Sequence, residues 1–436
     1  MRARRNPGRI PAWAALPGVL VVLSAVFAGP HLWAAKKPVK TKPKPKPTVS
    51  AAAVTSKMVV LGFNDLGMHC MNPEFSAICI LPPYNTLHAQ VIDRSGEEPR
   101  IVTSGIQVKY SIPGNTRSSN KTNFWQYAQA LFGLKSPLPA DVGLTGSKLS
   151  GTMTANRDGD WSVVGIPVTP ITDQGVNNPF QLSLIQALSN GKVVGQTQAV
   201  VPVSWEISCN ICHQGASSVE IAADILTKHD RRHGTSLVAQ ALPVGQSGKK
   251  PVLCASCHAD PALGTPGVAG VKTMSAAMHG SHADRMGPAL SYVQNACYAC
   301  HPGKQTECLR DVHFLNGMSC ADCHSPQVPH GDIKGAMLAV GDVKRRPWVD
   351  EPKCASCHRR PGFAFEEPGK LYKESRGHNG VKCASCHGSP HAITPTAVAA
   401  DNVQAIAVQG HAGTINDCKV CHRQTPGERF NHTLDD

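Results

Sequence analysis

The pattern Cys-x-x-Cys-His recurs seven times in the second half of this 436-residue chain. It stands at Cys209/Cys212/His213, Cys254/Cys257/His258, Cys297/Cys300/His301, Cys320/Cys323/His324, Cys354/Cys357/His358, Cys383/Cys386/His387 and Cys418/Cys421/His422. Fourteen of the 17 cysteines are committed in this way. Motif starts lie between 23 and 45 residues apart, too close for a separate domain around each. The chain between them is rich in Gly, Pro, Ala and Ser, and its hydrophobic periodicity fades. Side chains of this kind cannot bury a core alone, so something else has to supply one.

The spacing names the candidate. Two thiols three positions apart can each form a thioether with one vinyl group of a haem, and the adjacent His then lies under the iron. A zinc half-site or a redox dithiol also uses Cys-x-x-Cys, but neither needs His directly after the second Cys. The expectation is seven covalently bound haem c groups. The fourteen motif cysteines attach them, and His213, His258, His301, His324, His358, His387 and His422 are the proximal ligands. Each haem brings a large apolar disc, so the half-chain should pack haem against haem and be largely unfolded without them.

Seven irons need seven distal ligands, and ten further His lie between His229 and His432. That surplus permits two imidazoles per iron throughout. His313, His378 and His411 each stand shortly before a motif and close to a Gly (Gly317, Gly380, Gly413), whose loop lets them reach a neighbouring haem. His233 and His279, each followed by Gly, and His391 complete the expected distal set. His229 and His282 read instead as surface residues or neighbours of a propionate, because His233 and His279 compete for the same irons. His330 and His432 stay undecided. Met274, Met278, Met286, Met318 and Met337 read as packing residues.

Three cysteines remain. The expected pairing is a Cys70–Cys79 disulfide, with a soft-metal site in Met68-His69-Cys70-Met71 as the alternative. Cys308 reads as a buried thiol or a group beside a haem. His88 reads as structural.

The formal net charge is +13, yet ten basic residues and no acid lie in the first 47 positions. The remainder is nearly neutral, which excludes a basic nucleic-acid-binding body. Arg2, Arg4, Arg5 and Arg9 precede an apolar run, Val19–Ala28, with small residues after it. Residues 1–35 read as a secretory signal peptide, with an uncleaved anchor as the alternative. Residues 36–56 read as a Lys/Pro-rich linker, an extended spacer or a tether to a membrane or wall. The protein is thus expected in the periplasm or at the cell surface.

Residues 57–206 read as an all-β domain. Strands are expected at 57–63, 90–93, 100–102, 106–110, 180–184 and 193–201, with a hairpin at Ser189-Asn190-Gly191 and one helix at 123–132. Short strands between Gly/Pro/Asn turns point to an immunoglobulin-like sandwich. Residues 207–436 form the seven-haem domain, low in secondary structure, with short helices.

These motifs, and segments such as Cys383-Ala-Ser-Cys-His-Gly-Ser-Pro-His391, resemble the bacterial multihaem c-type cytochromes. The segment Phe63-Asn-Asp-Leu-Gly-Met-His-Cys-Met71 is similar to one in the non-haem domain of the large multihaem proteins of anaerobic metal- and sulfur-metabolising bacteria. The resemblance implies low-potential electron transfer with other redox proteins or a quinol-linked donor. It also admits a homo-oligomer or filament. The rival class is a reductase of nitrite, hydroxylamine or a sulfur oxyanion, which needs one iron with an open sixth site.

Overall fold

The computed structural model describes residues 56–361, 363, 365–427 and 432. The signal-peptide reading and all but the last residue of the linker lie outside them. The described residues belong to one compact unit.

Twelve strands are described: β1 (Met58–Phe63), β2 (His69–Cys70), β3 (Ile78–Cys79), β4 (Thr86–Asp93), β5 (Arg100–Ile101), β6 (Gln107–Ser111), β7 (Ser150–Thr152), β8 (Thr154–Ala155), β9 (Trp161–Val164), β10 (Phe180–Ser189), β11 (Lys192–Ser204) and β12 (Val252–Leu253). One sheet has the order β1-β4-β9-β8, with β5 on β4. A second runs β2-β11-β10-β6-β7, in which β2 lies parallel to β11. β3 pairs parallel with β12.

Both five-stranded sheets feed one apolar core. Val60, Leu87, Val91 and Trp161 of the first meet Val108, Ile185, Ala199 and Val201 of the second. Helix α1 (Phe124–Phe132) closes one end, with Phe124 set edge-on to Phe75 at 5.1 Å. The β10–β11 hairpin turns at Asn190 (φ 49°) and Gly191 (φ 76°). Both central residues of such a turn need positive φ, which Asn and Gly tolerate. Strands β7 to β9 escape the alternation criterion because Gly151, Asp158 and Gly159 break the pattern.

The second half carries mostly short helices: α2 (Ser218–His233), α3 (Leu237–Ala241), α4 (Met274–His282), α5 (Val312–Leu315), α6 (Cys320–His324), α7 (Ile333–Val340), α8 (Cys383–His387) and α9 (Val403–Gln409). The longest, α2, is bounded by its own sequence. The Ser217 hydroxyl accepts from Glu220 N–H at the start, Arg231, Arg232 and His233 fill the last turn, and Gly234 ends it in the left-handed conformation.

Polar side chains join the two halves. Gln90, with no exposure, accepts through Oε1 from Lys382 N–H (2.7 Å) and Ser385 Oγ (2.9 Å). Gln404 Oε1 accepts from Gly62 N–H (2.6 Å) and Thr197 Oγ1 (3.0 Å). The Glu206 carboxylate accepts from the backbone N–H groups of Lys304, Gln305 and Thr306. The β half therefore fixes the segments that carry the third, fourth and sixth motifs.

Candidate functional site

Each motif folds as a single helical turn. The backbone N–H of His213, His258, His301, His358 and His422 donates to the carbonyl of the first Cys of its own motif, at 2.8–3.1 Å. The remaining two motifs, 320–324 and 383–387, are the short helices α6 and α8. One turn brings both thiols to one side and projects the His beside them, the local geometry that double thioether attachment requires.

The fourteen motif cysteines differ in how far the polypeptide covers them. Cys212, Cys257, Cys323 and Cys357 are exposed, whereas Cys383 is buried and the other nine are intermediate. The difference lies in what the second cysteine of each motif packs on. Cys300 leans on the cluster of Met286, Ala289 and Val293, and Cys386 and Cys421 lean on that of Ile415 and Val420. Cys212 and Cys357 close their turns outside the apolar clusters of the described residues, as do Cys257 and Cys323. The polypeptide therefore encloses some attachment thiols and leaves Cys212 and Cys357 at its surface. Exposure leaves the three-residue spacing intact, so both remain within reach of a vinyl group.

A second histidine ring lies beside every motif histidine. Ring centres are 6.5 Å apart for His213 and His282, 6.3 Å for His258 and His229, and 6.2 Å for His301 and His279. They are 6.0 Å apart for His324 and His391, 6.1 Å for His358 and His313, 5.7 Å for His387 and His432, and 6.0 Å for His422 and His378. Two imidazole nitrogens bound about 2 Å from one metal put their ring centres about 6 Å apart. The residues present thus fit a metal held between two imidazoles at all seven places.

The protonation pattern suits ligation as well. Nδ1 of His258 donates to the Lys272 carbonyl (2.8 Å), Nδ1 of His279 to Ser275 O (2.9 Å), and Nδ1 of His282 to Met278 O (2.8 Å). A carbonyl can only accept, so the lone pair of these rings is on Nε2, free for a metal. Carboxylates do the same work for His213 (Asp224 Oδ2, 2.9 Å) and His313 (Asp311 Oδ2, 3.1 Å). Burial pushes the imidazole pKa of His301 and His387 down to about 4, helped by neighbouring His, and that of His324 down to about 3. These rings are neutral at pH 7, the form that binds metal.

Four of the six expected distal histidines, His279, His313, His378 and His391, take part in these pairs. His233 and His411 do not. His233 is the last residue of α2 and sits 4.9 Å from His229, which is the one that meets His258. His411 is exposed and bonds through Nδ1 to Ala412 O (2.9 Å). Their places are taken by His229 and His432. His282 pairs as well, although it stands three residues after His279. The two rings do not compete, because α4 directs His279 to the third motif and His282 to the first. The helical spacing around Met274–His282 was the signal for that. His330 is exposed and faces Asp322 at 3.3 Å.

The expected Cys70–Cys79 disulfide is corrected: both thiols are free. β2 pairs Cys70 with Ser204 of β11, whereas β3 pairs Cys79 with Leu253 of β12. Burial, Cys308 and Glu206 raise the Cys70 pKa, and burial and the neighbouring Cys254 raise that of Cys79. His69 is engaged by Asp65 (3.2 Å) and Asn64 (3.3 Å). His88 stacks on Phe63 at 5.1 Å and bonds Asp160 at 2.8 Å, a structural role.

No protein-family model and no curated protein matches the chain. A solved structure of a β-glucuronidase from Bifidobacterium dentium, complexed with coumarin-3-O-glucuronide, is similar over 34% of this chain and 18% of that one. The identity is 9% and the TM-score 0.17, and a likeness of that size carries no argument.

Proposed function

We propose that this chain is an electron-transfer protein carrying seven covalently attached haem c groups, each held by two thioethers and two imidazoles. The observation that carries this reading is the second histidine beside every Cys-x-x-Cys-His motif, at one common spacing. His282, His229, His279, His391, His313, His432 and His378 are then the distal ligands of the first to seventh sites. Haem held by these residues would supply one-electron chemistry, at low potential because the side chains that would hold it are two imidazoles and no thioether.

The chain's own part is to hold and screen. Asp224, Asp311 and the carbonyls of Lys272, Ser275 and Met278 fix ring orientation through Nδ1. Burial keeps the rings neutral and limits water. With a second imidazole at every motif, a carrier is favoured over a reductase, which needs an open iron. The Arg-led apolar leader supports export to the periplasm or cell surface. Partners are then other redox proteins, a quinol-linked donor or further copies in a filament.

The β half is read as an immunoglobulin-like sandwich that anchors the haem sites. What supports this is the strand order. β1-β4-β9-β8 corresponds to strands A-B-E-D and β11-β10-β6 to G-F-C of that fold.

A haem assay of the purified protein together with EPR of the ferric state tests the reading. Seven haems and wholly low-spin signals are expected. A high-spin ferric haem would move the conclusion to the reductase, and fewer than seven haems would overturn it.

A further inference from the structure

We propose that the seven sites are joined in space in the order second, first, third, fourth, fifth, sixth, seventh, so that electrons enter and leave at the second and seventh sites. The inference rests on the haem reading above and adds a route to it. Sequence order would place the first motif at one end; the contacts place it between the second and the third.

Helix α2 makes the first link. Its Asp224 holds Nδ1 of His213, and its His229 meets His258. One helix thus supports a ligand of the first site and supplies one to the second. Helix α4 makes the next link in the same way, with His282 on His213 and His279 on His301. Ile211, inside the first motif, and Cys300 of the third pack against one apolar cluster that includes Met286 and Ala289. The first site is therefore held from both sides, by helices whose other histidines serve the second and the third.

From the third site onward the order follows the chain. Asn295 accepts from Cys297 N–H of the third motif (3.0 Å), and its Nδ2 lies 4.0 Å from Cys320 Sγ of the fourth. The thiols of Cys297 and Cys320 are near enough to shift each other's pKa. His313, on the turn that leads into the fourth motif, meets His358 of the fifth. The Phe365 ring stacks on both His358 (5.9 Å) and His432 (6.4 Å), the latter paired with His387 of the sixth. Cys386 and Cys421 lie in one apolar cluster with Ile415 and Val420, and Ile415 N–H donates to Cys386 O at 3.0 Å. His391, just past the sixth motif, meets His324 of the fourth, so the path folds back on itself between the fourth and sixth sites.

The two ends differ in cover. At the seventh motif the β half contributes it: Arg94 donates to Val420 O (2.9 Å) and Arg423 to Ser95 O (3.1 Å). At the second motif, Cys257 is exposed. Cys212 and Cys357 are exposed at interior sites of the route too, so the links, and not exposure, set its ends.

Two variants of the haem-loaded protein discriminate the orders. C209S/C212S removes the first haem, and C254S/C257S removes the second. After flash reduction, equilibration among the remaining haems is followed optically. The proposed order predicts a separate slow phase in C209S/C212S, where the second site is cut off, and none in C254S/C257S. The reverse pattern, which sequence order predicts, would overturn the proposal. A variant that does not fold is replaced by iron-edge anomalous diffraction from the unaltered holoprotein. The iron of the first site should then lie nearer to those of the second and third than these lie to each other. Seven haems with any other iron order would overturn the route and leave the haem reading standing, whereas fewer than seven haems in the unaltered protein would overturn both.

Discussion

Arg310 holds Asp401 through both carboxylate oxygens, Nε to Oδ2 at 2.6 Å and Nη2 to Oδ1 at 3.0 Å, with the arginine wholly buried. The same guanidinium donates to Gly67 O at 2.8 Å and lies over the Phe180 ring at 4.7 Å. One side chain of the Cys/His-rich half thus stitches itself to two parts of the β half. Removing one partner of a buried, fully bonded ion pair leaves the other charge stranded, at a cost of about 3–5 kcal/mol. Arg310→Met should lower the denaturation midpoint of the holoprotein accordingly. Arg310→Met combined with Asp401→Leu should recover part of the loss, which a double-mutant cycle would measure. The backbone N–H of Arg310 also donates to His391 O (3.0 Å), a bond that either substitution leaves in place.

The pairing of His282 with His213 separates the proposed ligand set from the one expected from spacing. His282→Met should leave the haem count unchanged and convert one site from two imidazoles to imidazole plus thioether. Its potential should rise, since thioether ligation favours the reduced iron. Spectroelectrochemistry should resolve one displaced component. His233→Ala and His411→Ala should leave the titration unaltered, and a displaced component in either would reinstate that residue as a ligand.

The Cys-x-x-Cys-His motifs and the β half were legible in the sequence for different reasons. Cys-x-x-Cys-His is a local signature, since one turn decides where its thiols and ring point, so all seven motifs could be read directly. How far each thiol is covered is not local, which is why the exposure of Cys212 and Cys357 could not be read from identical motifs. Alternation and the Asn190-Gly191 turn are local too, and the β10–β11 hairpin follows from them. The pairing of a second histidine with each motif is a long-range relationship. His432 reaches back 45 residues to His387, and no spacing rule encodes that. For His229 and His282 the reason is local geometry: spacing alone makes neighbouring histidines rivals for one partner, whereas on α2 and α4 these two meet His258 and His213.

Asp173 offers a pH test away from the haem sites. Burial alone would raise its pKa, but hydrogen bonds from Lys121 and Thr116 and the Lys121 charge bring it down from 3.8 to about 2. Between those values the unfolded chain binds more protons than the folded one, so stability rises with pH there. The contribution is complete above 3.8 and is lost as the pH falls through about 2. Lys121→Met should lower the melting temperature near neutral pH, and the gap to the parent should narrow across that window. A gap that stays constant down to the lower value would show that Lys121 acts through packing instead.

The three cysteines outside the motifs should behave as thiols. Cys70 and Cys79 lie on strands that pair with different partners, and burial raises both pKa values, so little thiolate is present to react. A non-reducing peptide map should recover the two residues in separate peptides, each alkylated only after denaturation. A linked Cys70–Cys79 peptide would reinstate the disulfide.

The distribution of apolar side chains predicts what happens without haem. The β half owns a continuous core that includes Val60, Phe75, Leu87, Phe124, Ile166, Ile185 and Val201. Among the described residues its partner half has only small satellites, such as Ala222, Leu226 and Val252, or Met286, Ala289 and Val293. Clusters of that size do not offset the conformational entropy of ordering so many residues. A chain produced without haem attachment should therefore keep a folded β half and lose the rest. Limited proteolysis should leave a resistant fragment spanning roughly residues 57–206 and digest the motifs, while the holoprotein resists throughout. Resistance along residues 207–436 in the haem-free chain would mean that its side chains suffice as a core, and the argument that haem supplies one would fall.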